Sequence, residues 1–261
     1  MNSYHTPVLL DTAVDYLNVR PGRKYIDATL GGGGHSALIK SEGGLVLGLD
    51  QDEEAIENSK GCTDKAIKVN FIHLNETAKE NSWYPVSGVI LDLGVSMHQI
   101  TDSQRGFSFQ ADGPLDMRMG NSAVTAAELV NRLSVDQLSS LFKDFGEIPG
   151  AKSLATKIVA NRPMSTTSQL AKICGKWSQQ VFQALRIAVN DELGALNQAM
   201  PQIISVLDNG GRAVIISFHS LEDRIVKNSF NSWANNNLGI VLTKKPIAGE
   251  RGSKLRAFEK V

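Results

Sequence analysis

Apolar positions along this chain follow two rhythms. Residues 24–28, 45–49, 66–72, 86–93 and 212–218 are short, nearly unbroken apolar runs, the pattern of strands covered on both faces. Between the first four lie segments with helical spacing, at 8–17, 36–40 and 53–58. Four such alternations predict a doubly wound α/β domain with a mostly parallel sheet. From about residue 101 to 177 the strand rhythm stops and helical patterns take over, at 126–133, 135–145 and 152–160, with a further start at 167–173. Ser134, followed by Asp136 and Gln137, is a helix-start signal. Residues 180–207 predict one long helix with a kink at Pro201, 208–211 a turn, and 238–243 with 256–260 a closing antiparallel pair. The expected organisation is one α/β domain, residues 1–100 and 180–261, interrupted after its fourth strand by an all-helical insert, residues 101–179.

The first strand runs into Asp27-Ala28-Thr29-Leu30 and then four consecutive glycines, Gly31 to Gly34, before the chain turns helical at His35-Ser36. Backbone without side chains at that point lets a ligand lie against the main chain. The second strand ends at Asp50, 19 residues past Gly31, about where a carboxylate meets ribose hydroxyls in a nucleotide-binding βαβ unit. The fourth ends at Asp92, with Gly94 where the chain must turn. In an open α/β sheet, ligands sit beyond the C-terminal strand ends, so Asp27, Asp50 and Asp92 are expected to converge on one crevice, with strand-end capping as their plain alternative.

The ligand is an adenosine-containing cofactor, and three compete. A dinucleotide loop wants GxGxxG; counted from Gly31 the third glycine falls on Ser36, and counted from Gly32 it falls on Ala37, which only the relaxed form tolerates. A phosphate-binding loop ending in GK[ST] is absent. S-adenosylmethionine has no pyrophosphate, and Asp27 and Asp50 suit its ammonium and ribose. A purely structural glycine turn also fits.

Bulk properties narrow the class. The chain has 261 residues, long enough for one sizeable domain with an insertion, and no apolar run approaches the roughly 20 residues of a membrane span. The N-terminus, Met1 to Pro7, shows no signal-like pattern, so a cytoplasmic location without membrane association is expected. Cys62 and Cys174 form no metal-type spacing, and no metal site is expected. Charge is balanced overall but divided: residues 1–150 carry 12 basic against 20 acidic side chains, and 151–261 carry 15 against 7. The stretch 244–256 holds Lys244, Lys245, Arg251, Lys254 and Arg256 against a single acid, Glu250. Such a segment attracts phosphates, or simply solubilises a C-terminal strand and loop.

Several segments then fall into one pattern: His5-Thr6-Pro7-Val8-Leu9-Leu10, the run from Asp27 to Ser36, Leu91-Asp92-Leu93-Gly94-Val95-Ser96, Arg105-Gly106-Phe107-Ser108-Phe109, Gly113-Pro114-Leu115-Asp116-Met117-Arg118-Met119, the run from Gln183 to Leu193, and the run from Ser217 to Lys227. Together they resemble the bacterial 16S ribosomal RNA cytosine-N4 methyltransferase family (RsmH, formerly MraW), and the likeness extends from His5 to the end of the chain. The resemblance implies a class I (Rossmann-like) methyltransferase fold with an inserted helical domain that recognises RNA. It implies methyl transfer from S-adenosylmethionine to the exocyclic N4 of a cytidine in the decoding region, within the assembled small ribosomal subunit, by a monomer or homodimer. It places Gly33, Gly34, His35, Asp50, Asp92 and Gln99 against the cofactor. The chain departs from the family pattern at Met97-His98, where Ser-Pro is expected, and at Glu76, where an aromatic platform for adenine is expected. Its insert and C-terminal region are also shorter than the family's.

Amino methylation needs in-line attack and acceptors for the amino protons rather than a covalent cysteine. Asp92, the Ser96 hydroxyl and His219 are the candidates for that role. His219 has strand-end capping as its alternative, and Asp223 with Arg224 is expected to pair on a first helical turn. Arg118, with Asp116, either approaches RNA or locks the insert in place, and Lys244, Lys245, Arg251, Lys254 and Arg256 are expected to touch phosphates. A nicotinamide oxidoreductase and a non-catalytic ribosome-assembly factor are the competing functional classes.

Overall fold

The structure is a computed structural model that describes residues 7–120 and 122–261, apart from the side chains of Met97 and His98. His5, Thr6 and the side-chain departure at Met97-His98 therefore lie outside the described residues. The chain divides into two compact units, one from the N-terminus to Gly94 together with Leu193–Val261, the other Val95–Glu192.

The first unit begins with α1 (Leu10–Leu17), β1 (Lys24–Asp27), α2 (Gly34–Ser41), β2 (Leu45–Asp50), α3 (Glu53–Asn58), β3 (Lys65–Lys68), α4 (Leu74–Glu80) and β4 (Val86–Asp92). The second holds α5 (Met97–Thr101), α6 (Ala126–Arg132), α7 (Val135–Asp144), α8 (Ala151–Ala160), α9 (Thr167–Cys174) and α10 (Ser178–Asn190). The first unit resumes with α11 (Glu192–Val206), β5 (Leu207–Ser217), α12 (Ser220–Asn235), β6 (Gly239–Val241), β7 (Ile247–Ala248) and β8 (Lys254–Lys260). The sheet order is β3-β2-β1-β4-β5-β8-β6, with β7 paired to β8. β1 to β5 are parallel, and β8 runs antiparallel to β5 and β6.

Unbroken apolar strands build two cores because successive side chains point to opposite faces. Ile26, Leu47, Val89, Leu91 and Ile215 enter one core with α4, α11 and α12 residues. Tyr25, Val46, Ile90, Val214 and Ile216 enter the other beside Ala13, Val14 and Leu17 of α1. Since the strand order reverses between β1 and β4, the chain ends of those two strands flank the switch point, where ligands bind in such sheets.

The second unit is held by one core in which Val181, Phe182, Leu185 and Val189 of α10 join Leu138, Phe142, Leu154 and Ile158. That packing draws α10 into the helical unit, so the compact boundary falls at 192/193 rather than at residue 180. The expected single helix over 180–207 is two helices. Asp191 takes a left-handed conformation with φ 47° and ends α10, whereas Pro201 sits inside α11 without ending it. The predicted third strand also stops early, at Lys68. The Asn70 side chain accepts from the Ile72 amide and turns the chain into a 3-10 segment and then α4. The 208–211 turn is absorbed into β5 as a register shift, Val86 facing Leu207 and Gly88 facing Arg212. Among the described residues no helix is long and apolar enough to cross a membrane.

Candidate cofactor and substrate site

Three carboxyl groups lie at the C-terminal ends of neighbouring parallel strands, as their sequence positions anticipated. Asp27 at the end of β1 is buried; its Oδ2 accepts from the Ser36 hydroxyl at 2.7 Å and its Oδ1 from the Thr29 amide at 3.3 Å. The Ser36 amide also donates to it, so this carboxylate occupies the amide-rich start of α2. Burial pushes its pKa up to about 6. Asp50 at the end of β2 accepts from the Gly31 amide and the Asp52 amide, each at 2.9 Å. Burial holds its pKa above the usual carboxylate range, against those two hydrogen bonds.

Asp92 differs from both. The Thr29 hydroxyl accepts from its backbone amide at 2.6 Å, tying the ends of β1 and β4 together. Its side-chain Oδ1 is closed off from solvent and has no hydrogen-bond partner among the described residues. Burial, then the negative charges of Asp27 and Glu222, push its pKa up to about 8, so the carboxyl is mostly protonated at neutral pH. A buried oxygen with no partner costs roughly 1–3 kcal/mol. Its position at the switch point makes it the group most in need of a ligand.

The glycine loop serves two purposes. Gly33 has φ +75°, and a Cβ there would lie 2.7 Å from the Cβ of Cys62. Gly31 also has positive φ, +50°, but its nearest neighbour to such a Cβ is the Thr29 carbonyl at 3.9 Å, so its side is open. Packing against Cys62 thus explains Gly33, while the open approach to backbone is at Gly31. Cys62 beneath the loop had no signature in the sequence. His35, on the first turn of α2, is buried and neutral, its pKa lowered to about 4 by burial; its Nε2 has no partner among the described residues.

This geometry separates the three cofactor readings. A pyrophosphate needs the free amides of a helix start. Here that start is occupied by Asp27, the Gly31 amide is taken by Asp50, and the Gly33 amide donates to the Leu30 carbonyl at 2.7 Å. Three carboxyl groups would repel an anionic bridge. A ligand carrying an ammonium, a sulfonium and ribose hydroxyls instead supplies the cations and donors that they accept, and the unpartnered Oδ1 of Asp92 fits such a group.

The remaining sequence candidates are placed as follows. Ser96 and Gln99 form a reciprocal cap in the helical unit: the Ser96 hydroxyl accepts from the Gln99 amide at 3.2 Å, and Gln99 Oε1 accepts from the Ser96 amide at 3.0 Å. His219 is buried as the N-cap of α12, its Nδ1 accepting from the Glu222 amide at 3.3 Å, with Glu222 Oε1 3.4 Å from its Nε2. Asp223 does not pair with Arg224 as expected. It holds Arg256 through two hydrogen bonds, of 2.6 and 3.2 Å. Arg256 is buried by that pairing and is therefore not a free phosphate contact, whereas Lys244, Lys245 and Arg251 are exposed and Lys254 is half-buried. Arg118 grips Asp116 within the helical unit, at 2.8 and 2.7 Å. Glu76 is exposed, 3.7 Å from His73, and offers no aromatic platform.

A sheet of this order and direction, with acids at the ends of its first, second and fourth strands beside a glycine loop, is a class I methyltransferase fold. Residues 2–254 match the model of the MraW methylase family, and the chain belongs to that family. Among curated relatives, a protein of Clostridioides difficile (strain 630) is 38% identical over 311 aligned positions, covering all of both chains. One from Heliobacterium modesticaldum is 39% identical and covers 99% of each. One from Cyanothece sp. (strain PCC 7425) is 43% identical, covering 93% of this chain and 86% of its own. Each carries the name ribosomal RNA small subunit methyltransferase H.

Proposed function

We propose that this protein methylates the exocyclic N4 of a cytidine in the decoding region of 16S ribosomal RNA, using S-adenosylmethionine. The observation that carries the reading is the buried, unpartnered Asp92 carboxyl beside Asp27 and Asp50 in a member of the MraW methylase family. The names of the full-length relatives support ribosomal RNA of the small subunit as the substrate. The substrate is the assembled small subunit rather than naked RNA, and the enzyme works in the cytoplasm as a monomer or homodimer.

The cofactor supplies an electrophilic methyl group on a sulfonium; the rest is the work of this chain. Asp50, already fixed by two amides, presents its remaining lone pairs to ribose hydroxyls. Gly33, Gly34 and His35 shape the loop beneath the cofactor, and Gln99 holds the chain just past β4. Asp27 and Asp92 face the cationic part, and Asp92 accepts a hydrogen bond from the attacking amine. Its raised pKa suits a group that exchanges a proton near neutral pH. Ser96 and His219 orient the base, each held by its own cap. The base must leave its stack to reach the methyl group. The helical unit and the exposed Lys244, Lys245, Arg251 and Lys254, with Arg118, contact the RNA.

The test is mass spectrometry of 16S rRNA nucleosides after incubation of small subunits from cells lacking the activity with the protein and labelled methyl donor. N4-methylated cytidine is expected. No incorporation, with S-adenosylhomocysteine bound, would leave a non-catalytic assembly factor, and binding of NAD instead would leave an oxidoreductase.

A further inference from the structure

On the first unit, a hollow of about 230 Å³ lies between α12 and the strands at the sheet's far edge. Lys227 and Asn231 come from α12, Val241, Thr243 and Lys244 from β6 and the segment after it, and Phe230 lies beneath. Arg256 also reaches it, but its guanidinium is held by Asp223. Thr243 is buried, and its hydroxyl accepts from the Ala257 amide at 3.0 Å, which fixes the wall.

The charge balance of this hollow is one-sided. Asp223 neutralises Arg256, and no acid lines the cavity. Lys227 and Lys244 are exposed, and among the described residues neither has an ion-pair partner. Two uncompensated ammonium groups select an anion. The apolar floor of Phe230 and Val241 selects a ligand with a flat or apolar body, and the Asn231 amide offers both a donor and an acceptor to its edge. A nucleotide meets all three conditions: phosphate on the lysines, base on the floor, base edge on the amide.

We propose that this hollow binds one nucleotide of a single-stranded segment flanking the methylated cytidine. The placement favours a flanking nucleotide over the target. Lys227 is eight residues beyond His219, the cap at the ligand end of α12, which puts it about 12 Å along the helix. The inference rests on RNA being the substrate, and its test reads RNA binding directly.

The full-length protein is compared with the double variant Lys227→Ala/Lys244→Ala and with Lys227→Arg/Lys244→Arg. Binding of a short single-stranded RNA oligonucleotide is followed by fluorescence anisotropy across a salt series. Melting temperature and S-adenosylhomocysteine binding by calorimetry serve as controls for folding. The alanine variant is expected to bind RNA at least tenfold more weakly near 0.15 M salt. Its log-log salt slope should be shallower by about 2, one for each lost phosphate contact, with the arginine variant near wild type. Asn231→Leu should weaken binding without changing the slope. Equal slopes and affinities for wild type and the alanine variant would overturn the proposal. So would protection of Lys227 and Lys244 from amine-reactive labelling by free cytidine monophosphate but not by RNA, which would reassign the hollow to a small nucleotide. A wild type that binds RNA with the expected slope but transfers no methyl group would instead count against catalysis and leave this subsite standing.

Discussion

The two units treat buried charge in opposite ways. In the helical unit the charged groups are closed on themselves: Arg186 and Glu192 form a mostly buried two-point ion pair at 2.8 and 2.9 Å, and Asp116 takes Arg118. Its helices start from reciprocal caps, Thr125 with Glu128, Ser134 with Gln137 and Thr166 with Gln169. In the α/β unit, Asp27, Asp50 and Asp92 are gathered at strand ends with no cation beside them, and all three have raised pKa values. One unit spends its polar groups on its own stability. The other keeps an unstable cluster that only a cationic, donor-rich ligand relieves, which is how a binding site announces itself in an otherwise satisfied structure.

The sharpest break in that comparison is expected at Glu192. Replacing it with alanine strands the Arg186 guanidinium, which is mostly buried, and should cost about 3 kcal/mol in denaturant unfolding. The matching change in the other unit should have the opposite sign. Asp92 has a folded-state pKa of about 8 against an ordinary 3.8, so the folded protein binds the extra proton between those values. Its favourable contribution is complete below the unfolded pKa and is lost as pH rises through about 8. Asp92→Asn should therefore be more stable than wild type at pH 8 by about 1–3 kcal/mol, with the advantage shrinking towards pH 5, and should bind S-adenosylmethionine poorly. A variant less stable than wild type at both pH values would show that Asp92 is a structural residue like those of the helical unit.

Smaller effects test the loop. Gly33→Ala should cost about 2 kcal/mol, since it combines a φ of +75° with a Cβ 2.7 Å from Cys62. Gly31→Ala, with nothing closer than 3.9 Å, should cost about 1 kcal/mol. Equal costs, measured by thermal melts, would mean that the contact with Cys62 yields freely. At the bottom of the scale, Thr125→Ala removes one cap of α6 and should lower stability by about 1 kcal/mol with methyl transfer unchanged.

Much of the site was legible in the sequence because its parts are local. An acid that ends an apolar run and a glycine run that follows it are visible without tertiary structure, and Asp27, Asp50 and Asp92 stand where those signals put them. The strands themselves were read in nearly correct bounds, except where Asn70 diverts the chain after Lys68. What failed was whatever depends on a distant partner. Arg256 belongs to a basic segment by composition, yet Asp223, 33 residues away, takes it inside. The break at Asp191 is a left-handed residue in a helix-compatible sequence, and it outweighed the proline at 201.

The chain alone determined which residue types fall at each strand end and where the helical interruption begins, because periodicity, turn residues and acid positions are properties of neighbouring residues. Only the tertiary structure decided which charges would find partners. It gave Asp223 to Arg256 and left Oδ1 of Asp92 without one among the described residues. The energy of a buried charge depends on what folding brings beside it, and no local pattern records that.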